Sequence, residues 1–95
     1  MGRLSRDEQK IAVLAKLARG RNIGMDYIPV EKVLGRIPSH ARGDIQSVLD
    51  EMYRERLIEY HKGKDCISLN GEQLGRVVDM IGDEVPDYII DRLDD

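Results

Sequence analysis

His40, His61 and Cys66 have the widest chemical repertoire in this chain, since each could ligate a metal or act in nucleophilic catalysis given the right neighbours. The histidines stand 21 positions apart, and no pair shows the C-x-x-C or H-x-x-x-H spacing of a zinc site. Metal binding is therefore not expected. Cys66 has no adjacent base or helix start to activate its thiol, and reads as a residue facing solvent or a shallow contact on a hairpin. There is no glycine-rich phosphate loop and no Ser-His-Asp order, and the carboxylate pairs are those any charged surface supplies. The residues point away from an enzyme and imply no cofactor.

Charge is the next chemical resource. The net charge of -3 argues against an indiscriminate polyanion binder, yet it conceals a gradient. Residues 1–43 hold nine Lys/Arg against four Asp/Glu, residues 44–82 five against eight, and residues 83–95 one against six. Such asymmetry fits one nucleic-acid-facing side, and equally a solvated acidic tail on a neutral domain. The 95 residues suit a single domain with a modest core, and without Trp or Phe that core must be Leu, Ile and Val. A single Cys forms no internal bridge, and no apolar run reaches the about 20 residues a membrane span needs, so a cytoplasmic location without membrane association is the expectation.

The elements that would position these groups follow from periodicity. Ser5 and Glu8 stand in capping-box register, so a first helix is expected from about Arg6 to Arg19, with Ile11, Leu14, Ala15, Leu17 and Ala18 as its core stripe and Gly20 as a left-handed stop. Met25 to Pro29 can form a short strand, with Pro29 opening a second helix over Val30 to Ile37. Pro38 must end that helix, and Ser39 offers the cap of a third. Ile45, Val48, Leu49 and Met52 then recur at intervals that gather them on one helical face. After Leu57 the period switches to two. Ile58 and Tyr60 alternate with Glu59 and His61, the tip His61-Lys62-Gly63-Lys64-Asp65 turns the chain, and Ile67 and Leu69 alternate with Cys66 and Ser68. Asn70 caps a fourth helix with Leu74, Val77, Val78 and Ile81 inward and Gly82 at its close. In residues 83–95, an acidic extension, Pro86 can start a short helix with Ile89, Ile90 and Leu93 at helical spacing.

This order of elements resembles the winged helix-turn-helix superfamily over residues 5–81. The specific match is Ile37-Pro38-Ser39-His40-Ala41-Arg42-Gly43-Asp44, then Val48-Leu49, Glu55-Arg56-Leu57-Ile58 and Ser68-Leu69-Asn70, which looks like the small prokaryotic winged-helix DNA-binding proteins. The resemblance implies a mostly helical α+β fold: a three-helix core, a short β-hairpin wing and an extra C-terminal helix, with residues 1–82 as the winged-helix domain. Arg56 stands where the family usually has glycine, so the helix exit must either change geometry or hold a non-glycine residue under strain.

Carried onto this chain, the resemblance implies sequence-specific double-stranded DNA binding and transcription regulation. The third helix, about 39–56, would enter the major groove through Ser39, His40, Arg42, Gln46 and Ser47. Lys62 and Lys64 on the wing would reach the backbone, and Lys32 and Arg36 would flank the groove. Against this, Asp44, Asp50 and Glu51 share the polar side of that helix and would repel phosphate if they faced it. Gly43 allows close backbone approach, by a phosphate or by the first helix. The alternative expectation is a winged-helix protein-protein interaction module without DNA binding, in which the mixed-charge third helix or the ridge of Tyr88, Ile89, Ile90 and Leu93 docks a protein partner. That ridge could instead fold back on the core, or pair first or last helices in a homodimer.

Overall fold

The computed structural model describes residues 5–35 and 45–93, and its first helix, α1 (Arg6–Arg19), begins where the capping pattern requires. The Ser5 hydroxyl accepts from the Glu8 amide at 3.1 Å while the Glu8 carboxylate accepts from the Ser5 amide at 3.0 Å. The other end departs from expectation. Gly20 stays right-handed, with φ of -87°, and Arg21 takes the left-handed position, with φ of +52°. The Arg21 amide donates to Ala18 O and the Asn22 amide to Leu17 O, the paired bonds of a Schellman closure one residue later than the glycine suggested. Val13, Leu14, Leu17 and Ala18 are buried, whereas Ile11 and Ala15 are only partly covered. The stripe is rotated toward Val13 because α1 is the central helix, touched by every other helix and by the sheet.

Ile28–Pro29 forms β1 and leads directly into α2 (Val30–Leu34). Pro29 is therefore the last strand residue rather than the first helical one. The Val30 amide donates to Asp65 O at 2.9 Å, tying the start of α2 to the hairpin. Gly35 caps α2 after five residues, short of the expected end at Ile37, because glycine is a poor continuation of a helix held by so few bonds. Ile37, the turn at Pro38 and residues 39–44 of the expected third helix lie outside the described residues.

Within the described residues the third helix, α3 (Ile45–Arg54), buries Val48, Leu49 and Met52 and half-buries Ile45, the face expected from their spacing. It ends two residues before the expected Arg56. Arg56 has φ of +64° and closes a second Schellman motif, its amide donating to Tyr53 O and that of Leu57 to Met52 O. The position where the resemblance leads one to expect glycine is thus held by a left-handed arginine. Two carbonyls just beyond this helix end are also bonded, Glu55 O by Arg76 Nη1 at 3.0 Å and Arg56 O by Asn70 Nδ2 at 2.9 Å.

Strands β2 (Ile58–His61) and β3 (Cys66–Leu69) pair antiparallel with Ile58 opposite Leu69 and His61 opposite Cys66. Lys62 and Gly63 turn the chain with positive φ. The strand order β1-β3-β2 makes β3 the middle strand, so all four of its residues are buried. Cys66, expected on a solvent-facing or shallow surface, is only 7% exposed, flanked by Pro29 and His61 on the neighbouring strands. Ser68 is fully buried and lies 2.9 Å from His61 Nε2, and the His61 ring stacks on Tyr27 at 4.5 Å. The hairpin's second face is covered rather than polar.

After a 3-10 turn at Gly71–Gln73, capped by Asn70 accepting from the Glu72 amide, α4 (Leu74–Ile81) buries Val77 and Ile81. Gly82 closes it with right-handed φ of -52°. The last helix, α5 (Asp87–Leu93), packs against α1, and Val85, Ile89 and Leu93 join the same core as the helices before them. The fold is α+β, five α-helices on a small antiparallel sheet among the described residues.

Candidate nucleic-acid interface

Each step along α3 turns a side chain by about 100°. With Val48, Leu49 and Met52 inward, the outward strip must be Ser47, Asp50 and Arg54, flanked by Gln46 and Tyr53 on one side and Glu51 on the other. Contacts identify the flanks. Glu51 lies against α1, where its carboxylate meets Arg6 Nη2 at 2.9 Å and also Lys10 Nζ. Lys10 bridges on to Glu55 at 3.4 Å, and its side chain is only 11% exposed. Arg6 also donates to Ser47 Oγ at 3.4 Å. The hydrogen bond from Lys10, followed by that from Arg6, pulls the Glu51 carboxyl down to about 2, so it is ionised throughout the neutral range.

The opposite flank leans on the wing. Tyr60, half-buried on β2, donates its hydroxyl to Asp50 Oδ1 at 2.7 Å. Lys64 Nζ reaches the same oxygen at 3.2 Å and lies 5.4 Å from the centre of the Tyr60 ring. Gln46 Nε2 is 3.3 Å from both Asp50 Oδ1 and Tyr60 Oη, and Tyr53 tilts against Tyr60 at 5.0 Å. The Tyr60 hydroxyl, then Lys64, holds the Asp50 carboxyl below the usual carboxylate range. Burial, and then Asp50, pushes the Tyr60 hydroxyl up, so that it remains a donor. Helix and wing tip are thereby fastened side by side.

Of the residues expected to contact nucleic acid, Gln46, Ser47 and Lys64 converge on this face, and Lys62 stands exposed at the wing tip. Lys32 is exposed on α2. Arg36, Ser39, His40 and Arg42 lie outside the described residues, as do Gly43 and Asp44. Of the carboxylates expected to repel phosphate if they faced it, Glu51 is turned toward the cations of α1, whereas Asp50 lies on the outward strip with Lys64 beside it. Tyr60, Tyr53 and Arg54 were not singled out from sequence. Tyr60 had a legible signal, since its alternation with Glu59 turns it toward α3. Arg54 had one too, in its i+4 position after Asp50.

The apolar ridge of residues 83–95 is largely consumed by the core, leaving Tyr88 exposed and Ile90 half-covered. Among the described residues no group of three or more His, Cys, Asp or Glu side chains is placed to hold a metal ion, and no helix is long and apolar enough to cross a membrane. No protein-family model, curated protein or solved structure matches this chain.

Proposed function

We propose that this chain is a winged-helix protein that binds double-stranded DNA, a transcriptional regulator that sets α3 in the major groove and the wing at residues 61–65 on the phosphate backbone. One observation carries the reading. Lys64 lies 3.2 Å from Asp50 on the outward strip of α3, so helix and wing form one continuous surface in place of two separate ones. A major groove admits one α-helix, and a hairpin held beside that helix is placed to meet the bordering phosphates. Arg54, Lys62 and Lys32 have no side-chain partner among the described residues and are available to phosphate or base edges. The layout of three helices followed by a hairpin, with β1 added to β3, supports the same reading.

The protein-interaction alternative has less apolar ridge to draw on, because Ile89 and Leu93 are buried against the rest of this chain while Tyr88 is exposed and Ile90 half-covered. The deciding experiment is fluorescence anisotropy of a labelled duplex of about 25 base pairs at low and near-physiological salt. The expected result is binding that weakens steeply with salt, with the Lys62→Ala, Lys64→Ala double variant losing roughly one unit of log-log slope for each phosphate contact removed. Flat anisotropy at both salts, with a folded protein at high concentration, contradicts the proposal.

A further inference from the structure

A carboxylate in the middle of a surface offered to a polyanion needs a use. Three donors converge on a single oxygen of Asp50, Tyr60 Oη at 2.7 Å, Lys64 Nζ at 3.2 Å and Gln46 Nε2 at 3.3 Å. The second oxygen, Oδ2, has no partner among the described residues, and the side chain is 33% exposed. The group is therefore held in one orientation, one oxygen occupied by protein and the other left unpartnered on a part-exposed side chain of the outward strip. Lys64 offsets its charge, so its approach to bases does not bring an isolated negative charge into the groove.

Only two base edges in the major groove offer a donor. Adenine carries its N6 amino group beside the N7 acceptor, which would face the carboxylate unfavourably, whereas the cytosine edge offers the N4 amino group alone. The geometry points to Asp50 as a specificity-determining residue whose Oδ2 accepts from a cytosine N4 amino group, so that the ligand of this site is duplex DNA with cytosine at one fixed position. This rests on the DNA-binding reading and adds to it the identity of a base. Tyr60 is a positioning residue in this scheme, acting on DNA only through Asp50. The exposed Lys64 could not impose the orientation alone, because a lysine ammonium is a mobile point charge.

The test is selection of duplexes with a randomised centre by the full chain, followed by titration of the selected duplex and of its C·G to T·A variant against wild type, Asp50→Asn and Tyr60→Phe. Wild type is expected to enrich one fixed cytosine and to prefer it by roughly tenfold. Asp50→Asn loses that preference and turns toward adenine, whose N6/N7 pair an amide can bond. Tyr60→Phe narrows the preference several-fold, more than it lowers the low-salt affinity for random duplex, a split that a merely structural tyrosine would not give. Circular dichroism confirms that both variants are folded. Enrichment without a fixed cytosine overturns the assignment of Asp50 while leaving DNA binding intact. So does an Asp50→Asn protein with wild-type preference, or one that binds every duplex more tightly because Lys64 has been released. Failure of wild type to enrich any duplex overturns the DNA-binding reading and this inference together.

Discussion

Asp50 and Glu51 are neighbours in sequence with opposite roles in the structure. One residue of helix turns the second carboxylate toward α1, where Arg6 and the nearly buried Lys10 fasten it. The first meets the hairpin, where its closest partner is the neutral hydroxyl of Tyr60, followed by Lys64 and the Gln46 amide, and where Lys64, its one cation among the described residues, is 63% exposed. An ion pair between cations on one helix and a carboxylate on the next fixes packing. A carboxylate held on one oxygen by a hydroxyl, an exposed lysine and an amide, with the other oxygen unpartnered among the described residues, is oriented without being used up. The α1 flank of α3 is thus a fastening, and the wing flank is a presented surface.

The most severe way to break this comparison is to remove what both flanks share. Leu49 is fully buried on the inner face of α3, and Leu49→Ala should cost about 2–5 kcal/mol, a large part of the stability of a domain this small. Urea unfolding should show the loss, and duplex binding should fall with the folded fraction. Arg56→Gly should act in the opposite sense. With φ of +64°, Arg56 occupies a position that glycine takes without strain, so the substitution should stabilise by roughly 0.5–1 kcal/mol and raise the melting temperature by a few degrees. Duplex binding should be unchanged, because neither flank is altered.

The finest of these tests uses acid. The Glu51 carboxyl is lowered from 4.5 to about 2 on folding by Lys10 and Arg6. The unfolded chain therefore takes up its proton first as pH falls, and the stabilisation, complete above about 4.5, is lost progressively toward pH 2. Glu51→Gln should flatten that part of the stability curve measured by urea midpoint between pH 7 and pH 2, and should leave duplex affinity at neutral pH unaltered. A matching loss of duplex affinity would erase the distinction between the flanks.

Local signals carried much of this fold. The Ser5–Glu8 pair marked the start of α1, and the change of period after Leu57 marked the hairpin, because caps and periodicity are decided by residues a few positions apart. What stayed hidden depended on distant neighbours. Cys66 and Ser68 alternate with Ile67 and Leu69 as if they faced solvent, but β1 makes their strand central, and a two-residue strand has almost no sequence signature. Gly20 was the natural left-handed stop, yet the Schellman bonds form one residue further on, at Arg21. In the candidate site, Gln46, Ser47, Lys62 and Lys64 were legible as polar groups on a helix and a turn. The convergence of Tyr60, Lys64 and Gln46 on one oxygen was not, because it depends on the angle between helix and hairpin set by the core beneath them.

The most direct test of the account is an amide-resolved NMR titration of the chain with duplex DNA. The largest shift changes are expected on Gln46, Ser47, Asp50, Arg54, Lys62 and Lys64, while Lys10, Glu51 and Glu55 on the α1 flank and Ile89 and Leu93 of α5 move little. Changes centred on α1 and α5, or none at saturating duplex and low salt, would contradict it.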